Sequence, residues 1–367
     1  MNDFVAETYQ PIKTAEISGS SSIHPFPGIS FSELPQNKLH RLSPVHKRSF
    51  GSEIINGKVV FSDEFGNRFT SVTYKGLPPI DEIPFIEDDG WCASGFRTKF
   101  LCDTDDSKDI NEISKTLRSK GLNTEHIIKE TLLDHIIYGG AKISIPDLKN
   151  QMRVAYYDSH PNLKPEQKTK IDKYINEAKY VALERLLPVN ERLIDIDYAL
   201  TSTNFDRFIS SLKTYFDEEY QGVKFDGSPQ SMFDYLTKVL PVRMGRYLGK
   251  FHQAGYIHRY ATVHNWLLTG DLCDLDGVEK INPQSSTFDD YKNDLGQTYI
   301  ALGGLYERIF QEFFIKHNLL SVENKKPEKK IAQEAFSFFT EAYANETGIS
   351  IEQLNKFSDF GELKRYD

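Results

Sequence analysis

Asn265 and Asp274 are the two residues whose types and spacing best suit chemistry in this sequence. The stretch between them has the pattern of a tight hairpin, whose two arms would bring the side chains together. An amide oxygen and a carboxylate are hard ligands, which suit a Mg²⁺ ion that bridges nucleotide phosphates. Asp276 is the alternative carboxylate. We place Asp274 ahead because the segment Leu272–Leu275 has the pattern of a strand end.

A phosphate site of this kind also needs a cation from a neighbouring sheet. Lys75 stands at the exit of a run of β-forming residues. Glu130 falls in the segment 124–138, whose apolar residues recur at helical spacing. A helix-borne glutamate would hold the lysine by an ion pair while the lysine cradles the phosphates. The alternative is that Lys75 is a surface lysine and Glu130 a solvated helix residue.

The elements that must position these residues change in type along the chain. The first part is rich in strand signals, and the second part is rich in amphipathic helices. The predicted strands are a hairpin over 58–74 with its turn at 63–67, a strand over 95–102 and a buried strand over 180–187. The predicted helices cover 205–219, 232–253 and 295–313, and a basic turn at 325–330 precedes a final helical region. This order predicts the α+β class.

Four regions follow from this change of pattern. Residues 1–45 are rich in proline and serine and predict an extended or partly disordered arm. Residues 46–188 predict a strand-rich, nucleotide-binding lobe, and residues 189–320 a helical lobe with the metal-binding loop. Residues 321–367 predict a C-terminal helical extension.

Composition excludes several classes of function. The chain has 367 residues with 44 Lys and Arg against 53 Asp and Glu, a net charge of −9, and no basic stripe that would neutralise nucleic-acid phosphates. No apolar run approaches the roughly 20 residues of a membrane-spanning helix. The 3 cysteines are too few and too scattered for a disulfide framework or a zinc site. We therefore expect a protein of a reducing, cytoplasmic compartment, and delivery into another cell as an effector stays open.

The segment from His258 to Gly277 resembles the catalytic and metal-binding segment of the protein-kinase-like fold, with Asn265 and Asp274 at its metal-binding positions. The resemblance implies a two-lobed fold that binds ATP with Mg²⁺ or Mn²⁺. Tyr260 stands where kinases carry the catalytic Asp, and tyrosine, with a pKa near 10, is no base at neutral pH. The first hairpin has only Gly66 near its turn, where the kinase loop has three glycines.

A second set of residues is similar in order and type to the selenoprotein O family. These residues are Tyr74-Lys75-Gly76, Pro78-Pro79, Asp89-Gly90 and then Arg97. That family lacks the catalytic Asp, keeps the metal-binding Asn and Asp, and transfers AMP from ATP to protein hydroxyls. The resemblance implies that Lys75 and Arg97 bind phosphates and that Glu184 reaches the nucleotide from the lobe boundary. It also implies a protein or peptide acceptor.

Two further functions stay open at this point. The chain can be a catalytically inactive pseudokinase that acts as a scaffold or regulator. It can also be an unusual phosphotransferase in which Asp271 or Asp276 supplies the base; His264 is a further titratable group nearby. In the kinase-like fold His258 and Asp294 are expected to support the loop rather than to react. The sequence does not name the acceptor.

Overall fold

The computed structural model describes a defined set of residues: 21–23, 40–41, 50–53, 61–76, 83–89, 94–138, 141–199, 205–284, 286–309, 315 and 325–358. Within them the chain combines helices and strands, which confirms the predicted α+β class. Of the predicted arm over 1–45, only residues 21–23 and 40–41 are among the described residues, and both segments are strands.

The secondary structure runs as follows. The strands are β1 Ser21–Ile23, β2 His40–Arg41, β3 Phe50–Glu53, β4 Phe61–Ser62, β5 Arg68–Phe69, β6 Ser71–Lys75, β7 Ile86–Asp88, β8 Phe96–Thr98, β9 Cys102–Asp103, β10 His126–Leu132, β11 His135–Tyr138, β12 Ala141–Ser144, β13 Tyr180–Leu187, β14 Glu219–Tyr220, β15 Val223–Lys224, β16 Tyr256–Ile257 and β17 Glu279–Lys280. The helices are α1 Thr104–Ser119, α2 Ile145–Ser159, α3 Pro165–Glu177, α4 Leu193–Ala199, α5 Phe205–Phe216, α6 Pro229–Asp234, α7 Leu240–Gln253, α8 Phe288–Ile309, α9 Lys325–Thr347 and α10 Ile351–Ser358.

The chain forms two compact units. Unit 1 comprises residues 1–55, 71–113 and 126–187, and unit 2 comprises 56–70, 114–125 and 188–367. The predicted boundaries at 45, 188 and 320 stay predictions. No helix in the described part of the chain is both long and apolar enough to cross a membrane.

Unit 1 is built on an antiparallel sheet whose strands lie in the order β1-β10-β13-β6-β3-β2, with β9 also paired to β13. Strand β13 is buried along its whole length, as its near-continuous apolar sequence requires. The predicted strand over 180–187 is therefore confirmed. A helical layer contributes Leu148 and Met152 from α2 and Ile171 from α3 to the core of this unit.

The segment 124–138 was predicted as a helix that carries Glu130, and this prediction is wrong because the segment forms β10 and β11. The pairing of β10 with β13 contains a β-bulge between Ile127 and Lys129. A bulge interrupts the alternation of side chains along a strand, and here Ile127 and Ile128 are both buried. Two adjacent apolar residues do not fit the alternation of a regular strand, so the sequence pattern of this segment resembled that of a helix.

The first hairpin is shorter than predicted. Strands β4 and β5 pair across the turn, where Asp63 accepts the amide hydrogens of Phe65 and Asn67. Strand β6, predicted as part of the same hairpin arm as β5, instead belongs to the large sheet. The predicted residues 58–60 lie outside the described residues.

Unit 2 contains helices at the three predicted places. The α6–α7 run confirms the helix over 232–253, while α5 ends at Phe216, short of the predicted 205–219. Helix α8 confirms the prediction over 295–313 as far as Ile309, and residues 310–313 lie outside the described residues. The α6–α7 run begins at Pro229, where Ser228 caps the first turn, and a π-helical turn over Tyr235–Val239 joins the two helices. Gly245 lets α9 pack closely on α7, because a β-carbon there would lie 2.3 Å from the carbonyl oxygen of Phe339.

The basic segment 325–330 was predicted as a turn, and this prediction is wrong because α9 begins at Lys325. Pro327 falls in the first turn of this helix, where a proline needs no partner for a backbone amide. The cluster of charges therefore marks the start of a helix rather than a break between helices.

Candidate functional site

The loop that begins at His258 is anchored by Asp294 of α8. The Asp294 Oδ2 atom accepts the backbone amide hydrogen of His258 at 2.6 Å, and its Oδ1 atom accepts that of Arg259 at 2.7 Å. Arg259 has a φ of 64°, a conformation that costs energy for a side chain of this size unless neighbouring contacts hold it. The predicted supporting role of Asp294 is confirmed.

A buried histidine completes this anchor. His252 of α7 contacts Asp294 Oδ2 through Nε2 at 3.2 Å and the Tyr343 hydroxyl of α9 through Nδ1 at 2.7 Å. Burial alone would raise the pKa of Asp294, but hydrogen bonds from His252 and from the backbone amide of His258 hold this pKa below its ordinary value. Burial lowers the pKa of His252. The loop therefore rests on an ionised carboxylate fixed from three helices.

The predicted hairpin between Asn265 and Asp274 is present. The amide of Cys273 donates to the carbonyl oxygen of Asn265 at 3.0 Å, and Trp266 forms a β-bridge with Leu272. His258 Nε2 bonds to the carbonyl oxygen of Cys273 at 3.0 Å, which confirms its expected supporting role. These contacts hold the two arms of the hairpin in register where Asn265 begins one arm and Asp274 follows the other.

Asp274 lies at a sharp turn of the backbone. It has a φ of 69° and is half-buried. The next amide, that of Leu275, donates to Glu125 Oε1 at 2.7 Å, and Thr124 Oγ1 donates to the carbonyl oxygen of Leu272 at 2.7 Å. Thr124 and Glu125 therefore hold the chain on both sides of Asp274. Sequence reasoning placed Thr124 at a helix start and did not single out Glu125.

Asn265 is buried, and both ends of its amide are occupied. Its Nδ2 atom donates to the carbonyl oxygen of Tyr260 at 2.9 Å. Its Oδ1 atom accepts from Arg192 Nη1 at 3.3 Å, and the same nitrogen donates to the carbonyl oxygen of His264 at 2.5 Å. Arg192 was not identified from the sequence, because it precedes Asn265 by a long stretch of chain and belongs to no motif.

Tyr260 packs against the glycine that ends this segment. A β-carbon added at Gly277 would lie 2.6 Å from Cδ2 of the Tyr260 ring. Only a glycine permits this contact, so the tyrosine ring and Gly277 are matched to each other. The Tyr260 ring therefore fills the space over Gly277.

The donor atoms at this place fit a magnesium ion only in part. The carboxylate of Asp274 is a hard oxygen ligand, and Mg²⁺ is commonly held by one or two carboxylates together with waters and substrate phosphates. The amide oxygen of Asn265 is also a hard oxygen, but it already accepts a hydrogen bond from Arg192. Among the described residues, no group of three or more His, Cys, Asp or Glu side chains is placed to hold a metal ion. A cation at Asp274 would therefore depend on phosphate oxygens and water for the rest of its ligands.

Lys75 and Glu130 lie on one face of the unit 1 sheet. Both are paired with Leu183 of β13, one from each side, and directly paired residues point to the same face. Their Cα atoms are therefore about two strand spacings, or roughly 9.6 Å, apart. Ser107 of α1 donates a hydrogen bond to Glu130, so this helix covers the same face. Glu130 is a strand residue, and the predicted helix-borne glutamate is corrected accordingly.

Arg97 and Glu184 are placed differently. Arg97 forms an ion pair with Glu87, its direct partner across β7 and β8, and contacts Asp89 at 3.4 Å. These carboxylates already compensate the charge that was predicted to bind phosphates. Glu184 follows Leu183 on β13, so its side chain points to the sheet face opposite Lys75. The register does not bring Glu184 and Lys75 to a common ligand.

The three titratable side chains near the hairpin, those of Asp271, His264 and Asp276, differ in their exposure to solvent. Asp271 is buried, lies 3.5 Å from Arg243 Nη2, and has its pKa raised by burial. His264 and Asp276 are exposed. A base must reach the proton of its substrate, so the core position of Asp271 speaks against this role and leaves Asp276 as the accessible carboxylate.

Comparison with known proteins adds no relative. The chain matches no protein-family model and no curated protein.

Proposed function

We propose that the chain has a two-lobed kinase-like fold and is an ATP-dependent transferase that moves AMP to the hydroxyl groups of a protein or peptide acceptor. The observation that carries this proposal is the anchored loop. Asp294 holds the amides of His258 and Arg259, and the hairpin that follows aligns Asn265 with Cys273 beside Asp274. These contacts support the proposal, because the kinase-like resemblance implies a loop anchored by an aspartate beside a metal-binding Asn and Asp.

In this proposal Asp274 holds Mg²⁺, and Lys75 contributes positive charge to the phosphates. The bound ion would neutralise charge on the polyphosphate. The acceptor oxygen forms a bond to the α-phosphorus while the bond from that phosphorus to the bridging oxygen breaks. Pyrophosphate leaves, and the hydroxyl proton passes to solvent. Tyrosine side chains have an ordinary pKa near 10, so the proposal gives Tyr260 no part as a base.

A second candidate function has an observation of its own. The Tyr260 ring occupies the space over Gly277, at the position where a kinase would carry its base. This contact favours a protein that binds a nucleotide without turning it over, as a pseudokinase scaffold does. The two candidates share the metal site and differ in turnover.

The test is transfer of label from ATP labelled at the α- or the γ-phosphate, with Mg²⁺ or Mn²⁺ present. The wild-type protein is compared with Asp274→Ala and with the matched control Asp276→Ala, which removes the exposed carboxylate two positions further on. We expect α-label on protein with the wild type and with Asp276→Ala, and none with Asp274→Ala.

The other outcomes separate the candidates. Label from the γ-phosphate alone would identify a phosphotransferase, and its loss in Asp276→Ala would name the base. No transfer, combined with a rise in melting temperature on addition of ATP and Mg²⁺, would support the scaffold, because a ligand that binds only the native state stabilises it. An active Asp274→Ala protein would overturn the proposed site.

A further inference from the structure

The turn of the β4–β5 hairpin is tied to the end of α1 by a buried ion pair. Arg118 Nη1 lies 2.5 Å from Asp63 Oδ2, and the two side chains are 2% and 0% exposed. Asn67 Nδ2 donates to the carbonyl oxygen of Arg118 at 3.1 Å. Burial alone would raise the pKa of Asp63, but hydrogen bonds from Arg118 and Asn67 hold it below its ordinary value. The hairpin turn is therefore fixed to α1 by a stable anion.

A path of buried hydrogen bonds leads from Arg118 to Glu125. Arg118 Nε donates to Ser114 Oγ at 3.2 Å, one turn earlier in α1. The Ser114 hydroxyl donates to the carbonyl oxygen of Glu125. Ser114 and Glu125 are both 0% exposed, so solvent cannot replace these bonds when they are broken. Every residue of this path belongs to unit 2.

The Glu125 side chain ends this path at the backbone beside Asp274. Glu125 Oε1 accepts the amide hydrogen of Leu275 at 2.7 Å. Asp274 has a φ of 69°, a left-handed conformation that a non-glycine residue keeps only where neighbouring contacts hold it. The bond from Leu275 to Glu125 is such a contact. Glu125 is thus held through its carbonyl oxygen by α1 and holds the turn at Asp274 through its carboxylate.

We propose that the β4–β5 hairpin is a positioning element for the turn at Asp274, and that Arg118 is the positioning residue that connects them. The path runs from Asp63 through Arg118 and Ser114 to Glu125. Its effect on metal binding rests on the proposed function, in which Asp274 holds Mg²⁺. The hairpin then contributes to the site by fixing the backbone conformation from which the Asp274 side chain projects.

The first test is hydrogen exchange of two backbone amides of the same loop, measured by NMR. The Leu275 amide is bonded to Glu125, while the Cys273 amide is bonded to the carbonyl oxygen of Asn265. In Arg118→Met we expect Leu275 to exchange on the order of tenfold faster, because Glu125 loses its support. Exchange at Cys273 should stay within about threefold of the wild type. A general loss of stability would speed exchange at both amides.

Further variants separate the path from the loss of a charge. Ser114→Ala keeps the ion pair of Arg118 and removes the hydroxyl, so we expect faster exchange at Leu275 here as well. The effects of Ser114→Ala and Arg118→Met should not add, because both changes break the same path. Lys115→Met removes an exposed charge from the same helix and is the matched control. Glu125→Gln keeps an oxygen that can accept the amide hydrogen, so exchange should stay close to that of the wild type.

The second test uses the label-transfer assay with Mn²⁺ as the probe. In Arg118→Met we expect the Mn²⁺ concentration for half-maximal transfer of α-label to rise on the order of tenfold, because groups that orient a metal ligand contribute to metal affinity. The rate at saturating Mn²⁺ should stay within about threefold of the wild type. Lys115→Met should change neither quantity.

The failures of the two proposals are distinguishable. Circular dichroism checks folding, and Ser114→Ala, the smaller change, decides the question if Arg118→Met does not fold. Unchanged exchange at Leu275, or equal acceleration at Cys273, would overturn the path while the proposed function stands. Faster exchange at Leu275 with an unchanged Mn²⁺ dependence would overturn the positioning role. If the wild type transfers no label, the proposed function fails, and exchange at Leu275 alone decides the inference.

Discussion

Asp294 and Asp271 are two carboxylates buried in the same structural unit, and they are held in different ways. Asp294 accepts two backbone amide hydrogens and contacts His252, and its pKa is lowered despite burial. Asp271 faces Arg243 at a longer distance of 3.5 Å, and burial raises its pKa. Burial is nearly the same for both, at 1% and 3% exposure.

The difference shows that well-placed donors, and not burial alone, decide whether the pKa of a buried carboxylate is lowered or raised. Three short contacts offset the loss of hydration at Asp294. One long ion pair does not do so at Asp271. The molecule therefore uses Asp294 as an anchor for the loop that carries Asn265, while the charge of Asp271 costs stability.

The largest expected effect is that of Asp294→Asn. The change removes the anion and places an amide group against two backbone donors, so we expect a loss of about 3–5 kcal/mol in the free energy of unfolding. Urea denaturation of the wild type and the variant measures it. Asp289→Asn, an exposed carboxylate on the same helix, is the control and should stay within about 0.5 kcal/mol. A loss below 1 kcal/mol in Asp294→Asn would contradict the anchor.

Asp271→Asn should cost less, about 1–2 kcal/mol, in the same measurement. The change breaks a long ion pair but also removes a charge whose burial is unfavourable. Arg243 keeps its bonds to the carbonyl oxygen of Thr269 at 2.5 Å and to the Tyr220 hydroxyl at 2.8 Å. If Asp271→Asn proved as costly as Asp294→Asn, the contrast between the two carboxylates would be wrong.

The two carboxylates should also respond to pH with opposite signs. The lowered pKa of Asp294 means that its stabilisation is complete above the unfolded value of about 3.9 and is lost as the pH falls towards the folded pKa. The raised pKa of Asp271 means that its penalty at neutral pH is relieved as the pH falls through the folded pKa towards the same unfolded value.

The measurement is the free energy of unfolding of the wild type and of Asp271→Asn between pH 7 and pH 4.5. We expect the wild type to gain stability relative to the variant as the pH falls, by at most about 1.4 kcal/mol per pH unit. The titration of His252 is common to both proteins and cancels. A difference that stays constant over this range would show that the pKa of Asp271 is not raised.

The smallest expected effect is that of Tyr343→Phe, which removes the hydroxyl bonded to His252 and should cost about 1 kcal/mol. Because Tyr343 and Asp294 share His252, the effects of Tyr343→Phe and Asp294→Asn should not add. Tyr343→Phe and Asp271→Asn share no hydrogen-bond partner in these contacts and should add within about 0.5 kcal/mol. Double-mutant cycles measure both pairs, and equal coupling in the two cycles would contradict the connection through His252.

Local patterns predicted much of this structure. The buried strand over 180–187, the helix over 232–253 and the described part of the helix predicted over 295–313 follow from apolar periodicity within one segment. The hairpin before Asp274 was instead predicted from the resemblance of this segment to the kinase-like fold. The prediction of a helix over 124–138 was wrong because a β-bulge changed the spacing of the apolar residues in this segment. The bulge depends on pairing with β13 and therefore on a distant part of the chain.

The partners of the site residues were not predictable in this way. Arg192 reaches Asn265 from a distant part of the chain, and Glu125 reaches the amide of Leu275 from another. A single sequence carries no periodic signal for such contacts. Arg97 shows the opposite kind of error, in which a residue of suitable type has an unforeseen partner. An arginine suits phosphate binding, but the charge of Arg97 is compensated by Glu87, its partner across the two strands.

The sequence by itself determined the buried strand over 180–187, the presence of the main helices of unit 2 and the residue types of the loop from His258 to Asp274, since these depend on residue type and on neighbours along the chain. Only the tertiary structure decided that Asn265 meets a guanidinium, that the pKa of Asp294 is lowered and that burial raises the pKa of Asp271. The physical reason is that hydrogen bonds and pKa values depend on atoms within a few ångströms, and folding brings those atoms from segments far apart in the sequence.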